Sequence, residues 1–317
     1  FGSSPWPFWH DQLSRCAPRP RHISPARPEV PMAAVALARP IGAPSAVGVL
    51  SLLEEQENDL RVAALQRLND VVDNFWHEIA DYLSEIESFY EDSSFPSRDL
   101  AALVASKVFY HLEEYEHALR LALGAGRLFD LGTRSEYVEK IVAVAIDEYV
   151  RQRTANFEAE IKKKDITPID ANLEDVVKRM FDRCLEDKAF KQGLGMALES
   201  RRLDMIKTFI TESTDVPGML RYCQLMAMTV VTSKAFREQV LKVLVDIYTS
   251  TKDVNYTGLC QCYFILNEPM EIAKILKELL GKGDQLSRLM AYQVAFDIVD
   301  NENQHFCNQL LRSALLK

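Results

Sequence analysis

The chain has 317 residues, with 37 Lys and Arg against 46 Asp and Glu, a formal net charge of −9. Hydrophobic residues make up 48% and charged residues 26%, the balance of a folded chain with a sizeable core and not of a disordered or collagen-like one. No apolar run reaches the about 18 residues of a membrane-spanning helix. Six Cys are too few for a disulfide scaffold. The acidic excess argues against non-specific nucleic-acid binding.

Proline and charge divide the chain near residue 44. Nine of the 13 prolines lie at or before Pro44, where five Arg face only Asp11 and Glu29, a net of +3. Residues 45–317 carry 32 basic against 44 acidic residues, a net of −12. Residues 1–31 have no apolar periodicity and a Pro every few positions, which builds neither helix nor central strand. They read as a non-native or disordered leader, upstream translation or a cloning scar, with Met32 as the start. The alternative is a Pro/Arg-rich docking arm. Residues 32–46 read as a flexible tail, because Arg39, Pro40 and Pro44 interrupt the apolar stretch a signal peptide needs.

From residue 47 onward the spacing predicts helix throughout. Leu65, Leu68, Val72, Phe75, Trp76, Ile79, Leu83, Ile86 and Tyr90 follow one another at helical steps over about seven turns. Asn69, Asp70, Asp73 and Asn74 are weak helix formers and mark a candidate break. Ser97 starts a helix over 100–112, a second over 115–126 stops on glycines, and Ser135 caps a third. Residues 158–170 read as a charged linker around Pro168. Helical patterns follow over 172–187, 188–200, 202–213, 217–231, 234–250, 254–266, 268–280 and 285–300, with Pro217 and Pro269 near helix starts.

The fold class is therefore all-α, with stacked antiparallel helical hairpins forming an α-solenoid rod over 47–317. Residues 115–130 and 190–205 match in register at an offset of 75, about twice a two-helix repeat. The pairs Ala118/Ala122, Gly193/Ala197 and Ala291/Ala295 place two small residues one turn apart, where a neighbouring helix can approach closely.

No catalytic, cofactor-binding or metal residues emerge. His77-Glu78-Ile79-Ala80-Asp81 is a near miss to the HExxH zinc motif and reads better as the polar face of a long helix. Cys260 and Cys262 stand two apart, so on a helix they point to different sides and suit buried hydrophobes. Gly281-Lys282-Gly283 is a helix-end pair rather than a phosphate loop, and Lys162-Lys163-Lys164 is offset by Glu158, Glu160 and Asp165. Asn255-Tyr256-Thr257 is a glycosylation sequon by letter only, given the absence of a secretory signal. No nucleophile, base and orienting group assemble, so the residues alone describe an acidic helical scaffold that needs no cofactor.

Several words are more specific than helical periodicity requires: ALVASKVFYHL (102–112), RCLEDKAFKQGLGMALESRRLD (183–204), DVPGML (215–220) and CQC (260–262). In this order they resemble the N-terminal region of the non-ATPase regulatory subunit 1 family, the larger non-ATPase scaffold in the base of the proteasome regulatory particle. The resemblance covers nearly all of 45–317; residues 1–31 have no counterpart in it. It implies a non-catalytic subunit, cytoplasmic and nuclear, whose N-terminal rod precedes a ring of helical repeats absent here. Such a scaffold holds the ATPase ring, other regulatory subunits and ubiquitin receptors for degradation of ubiquitinated proteins, and binds neither nucleic acid nor membrane. No receptor-docking residue carries over to this stretch. The competing expectation is a generic helical-repeat adaptor outside the proteasome.

Overall fold

The structure, a computed structural model, describes residues 45–315 apart from 134, 252 and 253. The expected leader and all of the expected tail before Ser45 lie outside the described residues. Among the described residues there are fifteen α-helices and no strand.

The first six helices pack on one another. A single turn, α1 (Val47–Leu50), leads into α2 (Asn58–Ala80) and α3 (Leu83–Glu91). Leu65, Leu68, Val72 and Ile79 of α2 and Ile86 of α3 are fully buried, the stripe expected from the spacing. The break falls elsewhere than expected. It lies at Phe75 (φ −122°, ψ 20°) and in the turn Asp81–Tyr82, not at Asn69–Asn74. Two of those polar residues have partners on the helix over 98–111: the Lys107 amine donates to Asn69 Oδ1 (2.8 Å) and the His111 ring meets Asp73 (3.3 Å). Their side chains therefore do not compete for the backbone of their own helix.

Helix α4 (Arg98–His111) packs on α2, α3, α5 (Tyr115–Gly124) and α6 (Glu136–Ile161). Ala101 through Ser106, then Val108 and Phe109, are all buried, so α4 is covered on every side. Its one buried polar side chain is fully satisfied: Ser106 Oγ lies 2.6 Å from the Ala118 carbonyl, to which it donates, and 2.7 Å from the Tyr137 hydroxyl.

Helix α6 runs to Ile161, so the linker begins at Lys162 rather than at residue 158. The correction has a physical cause. Residues 158–161 lack a helix breaker, and the Pro168 signal acts only near its own position. The connection is pinned by Asn156, whose amide donates to the Thr167 carbonyl (2.8 Å) and accepts from the Thr167 N–H (3.1 Å).

The remaining helices stack in chain order: α7 (Ala171–Glu186), α8 (Phe190–Glu199), α9 (Leu203–Thr211), α10 (Val216–Thr229), α11 (Lys234–Ser250), α12 (Tyr256–Ile265), α13 (Pro269–Gly281), α14 (Gln285–Asp300) and α15 (Gln304–Leu315). The main packing is between each helix and its next or next-but-one neighbour in the chain, as in a solenoid. Asp170, Ser233 and Asp284 cap α7, α11 and α14, and Pro217 and Pro269 sit in first turns.

Five connections share one three-residue turn, at 112–114, 187–189, 200–202, 266–268 and 301–303. The middle residue of each is left-handed without being glycine: Glu113, Lys188, Arg201, Asn267 and Glu302, with φ between 55° and 62°. In the second of these the Ala189 N–H reaches the Cys184 carbonyl (2.8 Å) and the Lys188 N–H reaches Leu185 (3.1 Å). This Schellman closure satisfies the last carbonyls of one helix while reversing the chain into the next.

The small-residue pairs are buried at Ala118/Ala122 and Gly193/Ala197. A Cβ on Gly193 would collide with the Phe209 ring of α9, so only glycine admits that ring. The third pair is corrected: Ala291 is buried but Ala295 is exposed, and Val294 and Ile298 face the core with Ala291. The buried face of α14 follows a three- and four-residue step from 291, which Ala295 overshoots.

Candidate functional site

The sequence-level candidates each have a structural post. Glu78 anchors the start of the fold. Its carboxylate accepts from the Ser45 hydroxyl and the Ala46 N–H, both at 2.8 Å, and these bonds hold its pKa below the usual carboxylate range. His77 points outward and Ile79 is in the core. Among the described residues no group of three or more His, Cys, Asp or Glu is placed to hold a metal ion. Asn255 of the sequon is the α12 cap, accepting from the Gly258 N–H (3.2 Å). Lys282 closes α13, with Gly283 at φ 72° behind it, and its amine bonds the Tyr256 hydroxyl (2.8 Å).

Cys260 and Cys262 face different sides, both buried. Cys260 joins Ile272, Val294, Ile298 and Phe306 toward the following helices. Cys262 lies by Cys223 of α10 and Tyr248 of α11. Burial pushes all three thiols, Cys223, Cys260 and Cys262, up to about 12. They are neither nucleophiles nor ready metal ligands at neutral pH.

A concavity of about 600 Å³ opens where α2, α4 and the start of α6 meet. Lys107 is half buried in it, its pKa lowered by desolvation and partly restored by the Asp73 and Asp70 carboxylates. Its amine is engaged by Asn69. Asp130 spends its carboxylate on the Gly132 N–H and the Thr133 hydroxyl. Burial raises the Tyr137 hydroxyl to about 12 while Ser106 holds it. The polar groups here are committed to one another, and none forms a base–nucleophile pair.

The turn after α8 is the main polar tie between distant helices. Arg202 donates to the Tyr149 hydroxyl on α6 (2.9 Å), to Glu174 on α7 (3.3 Å) and to Asp204 on α9 (2.7 Å). The Arg201 guanidinium lies over both the Phe157 and Phe236 rings, 4.7 and 5.4 Å from their centroids. The long helix α6 thereby reaches α11. Sequence reading passed over this pair, although Arg202 aligned with Arg127 in the 75-residue match.

On α14, Leu289, Tyr292, Phe296 and Val299 are between 54% and 68% exposed on the side opposite its buried face. On α10, Leu225 and Met228 are also open. A groove of about 400 Å³ runs between α10, α12 and α14. No helix among the described residues is long and apolar enough to cross a membrane.

The comparisons with known proteins agree with this architecture. The family described as 26S proteasome subunit RPN2, N-terminal domain, matches residues 44–316. The 26S proteasome non-ATPase regulatory subunit 1 of Drosophila melanogaster is 44% identical over 268 residues, 84% of this chain and 26% of the relative. Its homolog A in Arabidopsis thaliana is 42% identical over 264 residues, 83% and 26% of the two chains. The 26S proteasome regulatory subunit rpn2 of Schizosaccharomyces pombe is 36% identical over 267 residues, 84% and 27%. The chain thus spans about a quarter of the length of the curated relatives it matches. With every stacked helix inside the matched span, this chain belongs to the 26S proteasome RPN2 family, and residues 44–316 correspond to its N-terminal domain.

Proposed function

We propose that this chain is the N-terminal part of a non-catalytic scaffold in the base of the proteasome regulatory particle. In this reading it works in cytoplasm and nucleus. It helps hold the ATPase ring, other non-ATPase subunits and ubiquitin receptors in place for ATP-dependent degradation of ubiquitinated proteins. The observation that carries the reading is the family match across the whole helical stack. The stack supports it chemically, since its polar groups serve caps, turns and inter-helix ties. Residues 47–317 are then a rod that precedes ring-forming repeats in a longer protein. The open stripe on α14 is consistent with this: a helix apolar on two faces is stable with a neighbour on each.

The test is a replacement. In the Schizosaccharomyces pombe relative, the matched region is exchanged for residues 45–317 of this chain. Particles are resolved on native gels and turnover of ubiquitin conjugates is followed. The reading expects the chimera to enter the regulatory particle and sustain turnover. A stable chimera that stays outside the particle would favour an adaptor role elsewhere.

A further inference from the structure

We infer that the groove between α10, α12 and α14 is a docking site for an amphipathic helix of a partner protein, one carrying a Lys or Arg beside its apolar stripe. The inference goes beyond the scaffold reading and does not depend on it. In a chain that is 26% charged, α10 and α12 carry a single charged residue between them, Arg221. Loss of charge with retention of Met and aromatic residues marks the centre of protein interfaces. Met228, which lines the groove, is 41% exposed, and Leu225 on the same helix is 59% exposed. Phe264, Ile265 and Ile298 line its floor, and the Gln224 amide donates to Gln261 (3.2 Å) across it.

The groove itself selects the occupant. An extended peptide draws its affinity from main-chain bonds to an open edge. Here the flanking elements are helices whose backbone groups are already paired within themselves, so they offer an extended chain no ladder. A helix brings its own backbone satisfied and needs only an apolar trough. Asp297 is the one charged residue lining the groove. Its Oδ1 accepts from the neutral Gln293 amide (2.8 Å), and among the described residues no Lys or Arg forms an ion pair with it. A cation on the incoming helix completes that carboxylate. A second copy of this chain is disfavoured by charge, since residues 45–317 carry a net of −12.

The experiment uses the full chain with ¹³C-methyl methionines and two synthetic helical probes. Each has about 18 residues and Leu at i, i+3, i+4 and i+7. One carries Lys beside the stripe and its twin carries Glu there. The expected result is a shift of the Met228 methyl signal, with the Lys probe bound at least about tenfold more tightly than its twin. Ile265→Glu, which leaves the Met228 reporter in place, should abolish the shift, and Asp297→Lys should invert the preference between probes. Both positions are partly exposed, and circular dichroism confirms that the variants fold. Failure of both probes to move Met228, equal affinity for the two, or a Met228 shift that depends only on chain concentration would each overturn the proposal. The last outcome would assign the groove to self-association.

Discussion

Helices α4 and α14 have the same kind of sequence and opposite fates. Both are apolar around most of their circumference. In α4, residues 101–106 are buried without interruption, because α2, α3, α5 and α6 surround it. In α14 only Ala291, Val294 and Ile298 are buried, against α12 and α13, and five large apolar residues, Leu286, Leu289, Tyr292, Phe296 and Val299, are exposed. The difference lies in the neighbours and not in the helix. Composition alone says that a helix has two apolar faces; the position in the stack decides whether both are covered. A helix like α4 stabilises the fold, and one like α14 presents surface to something else.

The sharpest way to break this comparison is to place the same charge in both helices. Val104→Asp buries an unpaired carboxylate and is expected to cost at least about 4 kcal/mol or to prevent folding. Phe296→Asp removes only exposed surface and should stay within about 0.5 kcal/mol in urea denaturation. Equal costs would show that the α14 stripe is covered in the isolated chain.

The next effect concerns helix approach. Gly193→Ala should destabilise by about 1–3 kcal/mol, because the new Cβ must displace the Phe209 ring. Calorimetry would read this as a lowered Tm. An unchanged Tm would mean that α8 and α9 are less tightly apposed than their geometry implies.

A smaller effect, of opposite sign, is expected at the left-handed turns. Lys188→Gly relieves strain at φ 55° and should stabilise by about 0.5–1 kcal/mol. A loss of stability there would mean that the lysine side chain outweighs its backbone cost.

The smallest effect is local and depends on pH. Glu78 has a lowered pKa in the folded chain, so its hold on Ser45 and Ala46 is complete above the ordinary carboxylate range. That contribution is lost as pH falls through the range and is gone below the folded-state pKa. The protection of the Ala46 amide against hydrogen exchange, taken relative to its intrinsic rate at each pH, should fall on acidification, and Glu78→Gln should flatten that profile. An Ala46 amide indifferent to both changes would detach α1 from this anchor.

Much of the fold was legible because helical periodicity is a local signal. The limits of α11 and α14 were read to the residue, and most other helices fell within a few positions. The misses have separate causes. Asn69 and Asp73 looked like a break until Lys107 and His111 occupied them. Ala295 looked like a packing residue because spacing does not say how wide the buried face is. The left-handed turns were invisible because Glu, Lys, Arg and Asn stand where glycine would have signalled them. For function, the family words carried the reading, while the α10–α12–α14 groove left in the sequence only two helices, α10 and α12, nearly free of charge. The α14 stripe could have been found from its apolar residues at both faces, but not its exposure.

The central claim is that α14 presents an interface that the working protein covers. Hydroxyl-radical footprinting of the isolated chain, compared with the regulatory particle containing it, tests this at single residues. The account predicts strong oxidation of Tyr292 and Phe296 in the isolated chain and protection of both in the particle. Val104 and Phe109 of α4 should be protected in each. Equal labelling of Tyr292 and Phe296 in the two states would contradict the account and leave α14 as exposed surface without a structural task.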